Sequence, residues 1–196
     1  MSLEEQFEQL GIVVVEYALV PSDFAMMDSL FPTLGARAPG ARADAFTSDA
    51  RHWLAHHAGL TELASRLLKR ASTLSRLQAF DKSPTANWFV PWHQDRAEDG
   101  QEREIADLER TVALRIHLDA CDEDNGPLDV IPGTHQAGRL DTAAIAQLVE
   151  RHSSRLCLAS RGDIVALRPL LLHRSQRAKK PAARRVIHIE YRAMML

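Results

Sequence analysis

Between residues 60 and 68 the apolar positions are Leu60, Leu63, Ala64, Leu67 and Leu68, the three-to-four spacing that gives a helix one apolar face. The pattern predicts a helical region from about 49 to 70, and Pro21, Ser22 and Asp23 mark the start of an earlier helix over 21–30. Between the two, the Pro-, Gly- and Ala-rich stretch 32–43 reads as a loop. From Ser72 onward the pattern changes, and short stretches rich in β-branched and aromatic residues alternate with turn residues. Strands are predicted over 74–81, 87–93, 111–118, 128–131, 155–159, 163–167 and 185–191. In 111–118, Val112, Leu114, Ile116 and Leu118 share one face while Ala113, Arg115 and His117 share the other, as in a half-polar strand lining a cavity. The mixed charges of 97–110 argue for a solvated loop or short helix. Seven or eight strands after an α-rich opening imply a mainly β fold with flanking helices, a jelly roll or related sandwich. No GxGxxG follows the first apolar run, Gly11-Ile12-Val13-Val14-Val15, which argues against a Rossmann arrangement.

Length adds that 196 residues, 45% of them hydrophobic, suffice for one domain with a sizeable core. The expected division is an α-rich part, 1–71, packed on core strands within 72–196. A net charge of -2 gives no sign of a nucleic-acid or anionic-membrane partner. Apolar runs such as Ile12 to Val15 and Leu170 to Leu172 fall far short of the roughly 20 residues of a membrane-spanning helix. The acidic opening Met1-Ser2-Leu3-Glu4-Glu5-Gln6 lacks the form of a secretory signal, so a cytoplasmic protein is expected. Two scattered cysteines, Cys121 and Cys157, make neither a disulfide framework nor a metal knuckle and read as inert thiols.

Nine histidines raise a metal hypothesis, and two stand in His-x-Asp triplets, His93-Gln94-Asp95 and His117-Leu118-Asp119. Residues two apart on a strand share a face, so either pair could offer an imidazole and a carboxylate to one ion. Surroundings favour the first, because Trp88-Phe89-Val90-Pro91-Trp92 runs into His93 just before the charged loop begins, and strand rims are where open sites are built. The second pair lies in a longer apolar strand and reads as structural. His52, His56 and His57 have helical spacing, for which a solvated helix face is the expectation ahead of a zinc site. The basic run from Arg174 to Arg185 reads as a solvated loop, with attraction of a phosphate or CoA ester as the alternative.

These segments together resemble the phytanoyl-CoA dioxygenase family of iron(II)- and 2-oxoglutarate-dependent oxygenases. The likeness rests on Phe80-Asp81-Lys82-Ser83-Pro84, Pro91-Trp92-His93-Gln94-Asp95, Asn125-Gly126-Pro127-Leu128 through Ile131-Pro132-Gly133-Thr134-His135, Gly162-Asp163-Ile164-Val165 and Leu172-His173-Arg174-Ser175 followed by Arg184. It implies a double-stranded β-helix, cupin-like, in which His173 completes a triad with His93 and Asp95. Two imidazoles and a carboxylate on one face of octahedral Fe(II) leave three positions open, for 2-oxoglutarate and O2. Arg184 resembles the arginine that pairs with the distal carboxylate of 2-oxoglutarate, with Arg185 as its register rival. Ser175 resembles a hydroxyl donor that assists it, Lys82 a further cosubstrate contact, and Asn87 a weaker candidate. His135 resembles a histidine that is not an iron ligand, and His188 is expected at the barrel wall.

Arg115 departs from the family, where an aromatic residue is expected, so a second guanidinium there would reach the pocket and favour acidic substrates. The expected activity is hydroxylation of an unidentified, possibly anionic small molecule with release of succinate and CO2. Asp95 fills the third ligand position and argues against a halogenase. The competing readings are a metal cupin that does not use 2-oxoglutarate and a non-catalytic binding barrel.

Overall fold

Ser2 and Glu5 close a reciprocal capping box at the start of α1 (Leu3–Leu10), and Gly11 ends the helix with a left-handed φ of 71°. That position admits only glycine, because a Cβ would lie 2.4 Å from Nδ1 of His135. The chain passes directly into β1 (Ile12–Val15), then α2 (Pro21–Leu30), which carries proline in its first turn as the sequence predicts. The computed structural model describes residues 1–16, 18–31, 46–98 and 101–195. The expected loop 32–43 lies outside them.

The helical region expected over 49–70 is two helices, α3 (Ser48–Ala55) and α4 (Ala58–Leu68), because His57 turns extended and its ring accepts the Leu60 amide as a cap. The strands follow as β2 (Ser72–Lys82), β3 (Val90–His93), β4 (Ala97–Glu98), β5 (Gln101–Glu102), β6 (Thr111–His117) and β7 (Leu128–Val130), with α5 (Ile105–Glu109) before β6. After a 3-10 turn at Thr134–Ala137 come α6 (Thr142–Arg151), β8 (Arg155–Cys157), β9 (Ile164–Leu167), β10 (His173–Ser175) and β11 (Arg184–Ala193). All seven predicted strands are present, and within 97–110 the short strands β4 and β5 pair antiparallel and α5 follows. Helix α6 is not among the sequence expectations; it buries none of its residues, although Asp141 caps it through the Ala144 amide. Strand β10 is three residues long and shows no alternation to read.

Two antiparallel sheets form the jelly roll, one in the order β1-β9-β6-β11-β2 and the other β3-β10-β7-β8. The α-rich opening therefore supplies β1 as an edge strand as well as helices. The period of two sorts the large sheet into unlike faces. Leu77, Ala79, Leu114, Ile116, Ile187 and Ile189 face outward, where Leu54 of α3 and Leu60, Ala64 and Leu67 of α4 cover them. With the helices supplying the apolar layer, the inner face is released for polar residues. Strand register places them in rows: Lys82 with Arg184, Phe80 with Val186 and His117, Gln78 with His188 and Arg115, and Arg76 with Glu190 and Ala113.

Candidate metal centre

Opposite that polar face, β3 and β10 pair with His93 directly across from His173. Asp95 follows where the ladder ends, its amide donating to the Pro169 carbonyl at 2.8 Å. Buried Gln94 anchors the turn: Nε2 donates to the carbonyls of Gly138 (2.8 Å) and Leu170 (2.7 Å), and Oε1 accepts from the Leu140 amide (2.9 Å). Sequence reasoning passed over Gln94, whose role depends on carbonyls 44 and more residues away.

His93, Asp95 and His173 each present a ligand atom within 4.8 Å of the others, and among the described residues no other trio of His, Cys, Asp or Glu does so. The imidazoles are oriented from behind. Nδ1 of His93 donates to the Pro91 carbonyl and Nδ1 of His173 to the Leu171 carbonyl, both at 2.8 Å. Each Nε2 lone pair is thereby turned toward Asp95, at 3.4 Å from Oδ1 for His93 and 3.6 Å from Oδ2 for His173. Lone pairs aimed at a carboxylate repel it unless a cation stands between them, so the donor set fits a divalent first-row ion. Burial, then the neighbouring His93, pushes His173 down to about 4, which keeps its nitrogen free at neutral pH. Burial alone would raise the Asp95 carboxyl, but His173 and His93 hold it well below the carboxylate range. The Asp95 carboxylate raises His93 in spite of burial, so a proton competes for that nitrogen.

The triad opens on a cavity lined by three cationic residues, Lys82, Arg115 and Arg184, with Asp95 as its carboxylate. Phe80, Trp88, Val90 and Leu128 supply the apolar wall. Lys82 is 2% exposed, donates to Ser175 Oγ (2.8 Å) and the Gln176 carbonyl (2.6 Å), and lies 5.4 Å from the Trp88 ring. Burial, then Arg184 and Arg115, pushes its ammonium down to about 7. Ser175 Oγ donates to the Gly126 carbonyl at 3.2 Å. A Cβ at Gly126 would come within 2.7 Å of the Gln176 carbonyl and 3.3 Å of Lys82 Nζ, so a side chain there would crowd this end of the cavity. Arg184 is buried, its Nε unpartnered and its Nη1 3.9 Å from Cys121 Sγ. A guanidinium so poorly satisfied at a cavity wall is set to receive an anion.

The remaining expectations divide. Arg185 points away from the cavity, binding Asp119 through Nε (2.9 Å) and Nη2 (2.9 Å) and Asp28 through Nη1 (2.8 Å). That pairing also explains why His117-Leu118-Asp119 forms no site, and burial pushes His117 down to about 3. Asn87 does not line the cavity; its side chain donates to the Ala178 carbonyl (2.9 Å) and accepts from the Ala178 amide (2.8 Å), holding the loop after β10. His188 lies on the cavity lining itself, a role the expectation of a wall position did not include. His135 reaches the Glu8 carbonyl at 3.1 Å. His57 pairs with Asp23 at 3.0 Å, and His52 and His56 stack on each other at 4.2 Å between centroids. In the basic run, Arg174 is paired with Asp129 (2.7 Å) and Lys180 with Asp124 (2.5 Å), which leaves less free charge for a CoA ester.

A family profile described as Phytanoyl-CoA dioxygenase (PhyH) matches residues 7–186, a span that holds the triad and all three cavity cations. Comparison with curated proteins gave no match. Among solved structures the chain is similar to AviO1 from Streptomyces viridochromogenes Tue57, at 24% identity over 98% of this chain and 95% of that one, with a TM-score of 0.75. It is similar to EctD from S. alaskensis, solved with 2-oxoglutarate and 5-hydroxyectoine, at 23% identity, 98% and 76% coverage and a TM-score of 0.77. It is also similar to the epimerase SnoN in complex with Fe3+, alpha ketoglutarate and nogalamycin RO, at 18% identity, 97% and 82% coverage and a TM-score of 0.79. At these identities the likeness is one of fold, and the profile match carries the assignment: the chain belongs to the phytanoyl-CoA dioxygenase family.

Proposed function

We propose that the protein is an Fe(II)- and 2-oxoglutarate-dependent dioxygenase that hydroxylates a small molecule, with release of succinate and CO2. The observation that carries this reading is the joining, in one cavity, of a two-histidine, one-carboxylate donor set with Lys82, Arg115 and Arg184, the two arginines each keeping an Nε without a hydrogen-bond partner among the described residues. His93, Asp95 and His173 would hold Fe(II), which with 2-oxoglutarate and O2 supplies the oxidising power to functionalise a C-H bond. Arg184, with Ser175 and Lys82 beside it, would take the distal carboxylate of the cosubstrate, a task suited to a guanidinium fork. Phe80, Trp88, Val90 and Leu128 keep water from the reacting groups. The His93 side chain is 35% exposed against 3% for His173, so substrate approaches from the β3 side. Among the described residues no helix is long and apolar enough to cross a membrane.

The test is anaerobic addition of Fe(II) and then 2-oxoglutarate to metal-free protein, followed by the visible charge-transfer band of the chelate. A band that depends on His173 is the expected result. Iron-loaded protein without the band would overturn the reading in favour of a metal cupin that does not use 2-oxoglutarate. Failure to hold iron at all would favour a non-catalytic barrel.

Cosubstrate binding is also expected to depend on pH. Lys82 is cationic below about 7 and neutral above it, and an incoming carboxylate favours the cation, so binding draws in a proton. The affinity for 2-oxoglutarate should therefore fall as pH rises through that value, by at most about tenfold per unit. Calorimetry in two buffers of unlike ionisation heat will show the uptake, and Lys82→Met should abolish the difference. Equal heats in wild-type protein would exclude Lys82 as the proton acceptor.

A further inference from the structure

One distal carboxylate accounts for Arg184 but not for Arg115. The two guanidinium groups belong to different rows of the inner face: Arg184 is in register with Lys82, and Arg115 with His188, four residues or about 13 Å further along β11. Their electrostatics agree with that order, since burial and then Arg184 lower Arg115 to about 10 while Asp95 of the triad opposes the shift. Arg115 shares the cavity lining with both Arg184 and the triad and lies within electrostatic reach of each.

Its surroundings hold it in place and, among the described residues, give its guanidinium no salt bridge. The side chain is 6% exposed, its guanidinium lies 4.7 Å from the centre of the Phe80 ring, and Nε has no hydrogen-bond partner. Nη1 donates to Nδ1 of His188 at 3.4 Å. Because that nitrogen accepts, the ring proton is on Nε2, which faces Glu190 Oε1 at 3.5 Å. Glu190 in turn is held by Arg103 (2.6 Å) and Arg76 (3.3 Å), so the buried carboxylate behind this row is already committed to two arginines. A buried, oriented guanidinium with an imidazole nitrogen at its back and an open cavity before it is suited to receive an anion from outside.

We propose that Arg115 is a second anion-binding residue of this cavity, taking the C1 carboxylate of a 2-oxo acid beside the metal donors, with His188 as its positioning residue. The identity of the acid rests on the oxygenase reading above. Arg184 then reads the far end of the ligand and Arg115 the 2-oxo acid head, so the two contribute separately to its recognition.

The experiment is calorimetric titration of Mn(II)-loaded protein with 2-oxoglutarate and with 2-oxovalerate, which keeps the 2-oxo acid head and lacks the distal carboxylate. Arg115→Gln should weaken both ligands by about 10–100-fold, the range for a lost charge-assisted pair. Arg184→Gln should weaken 2-oxoglutarate alone. His188→Ala should lower 2-oxovalerate affinity, and His188→Asn, whose amide oxygen replaces Nδ1 as acceptor, should restore it. Arg115→Lys, which keeps the charge and loses the fork, decides by the same criterion should the Gln variant fail to fold. Wild-type binding of both acids with affinities unchanged within about twofold in the Arg115 variants would overturn the inference and leave the oxygenase reading standing. Wild-type protein that binds neither acid would overturn both.

Discussion

Asp95→Ala is expected to lower Fe(II) affinity by more than about 100-fold and to abolish 2-oxoglutarate consumption. Removal of a residue that merely orients a ligand costs about 10–100-fold, and Asp95 is itself the anionic donor. Its loss leaves two neutral imidazoles to hold a dication in a cavity whose remaining charges, Lys82, Arg115 and Arg184, all repel it. The loop should survive the change, because Gln94 keeps its three hydrogen bonds and the amide of residue 95 still reaches Pro169. Metal content after dialysis, read beside an unchanged circular dichroism spectrum, separates lost ligation from lost folding. A folded alanine variant that retained iron within about tenfold of wild type would remove Asp95 from the metal site.

Stability should respond most to Glu190. Glu190→Ala is expected to cost about 3–5 kcal/mol, the range for breaking a buried ion pair from one side. The carboxylate is 1% exposed; burial alone would raise it, but His188 and Arg103 hold it below its ordinary value. Arg103 is 8% exposed and donates to Glu190 at 2.6 Å and to Thr111 Oγ1 at 3.2 Å. Removing Glu190 strands that guanidinium, weakens the hold on Arg76 and frees Nε2 of His188. For a chain of this length the melting temperature should fall by roughly 6–20 °C. Glu190→Gln, which preserves shape and some hydrogen bonds, should cost less, and the double change Arg103→Met with Glu190→Met should recover much of the loss. Thermal and urea unfolding will measure all three. An alanine variant within about 1 kcal/mol of wild type would show that the network contributes little. Arg103 also ties the segment after β5 to the core, its amide donating to the Arg96 carbonyl beside Asp95, so this network steadies the loop of the candidate ligand as well.

Much of this architecture is legible in local pattern. The alternation of residues 111–118 assigns Arg115 and His117 to one face and the apolar residues to the other, and the register of β6 keeps that division. Proline at the start of α2 and the apolar stripe of α4 are likewise local signals. The His-x-Asp spacing determines that an imidazole and a carboxylate can share a side, because two residues is the period of a strand.

What that spacing leaves open is which of the two triplets meets a second histidine. The answer depends on β10 lying against β3, a pairing made across 80 residues. Arg184 and Arg185 are adjacent and chemically alike. The register of β11 against β2 turns one into the cavity beside Lys82 and the other out to Asp119 and Asp28. Asn87 looked like a site residue until the return of the chain at Ala178 claimed both ends of its amide. Gln94, His188 and Glu190 acquire their roles only from partners distant in sequence. The sequence by itself determined the elements, the side each residue takes on its own element, and the chemical kinds present, since these follow from backbone periodicity and short-range sterics. The tertiary structure alone decided which faces oppose one another, and hence which charges are paired and which are left to bind a ligand, because those contacts are set by long-range packing that no local pattern encodes.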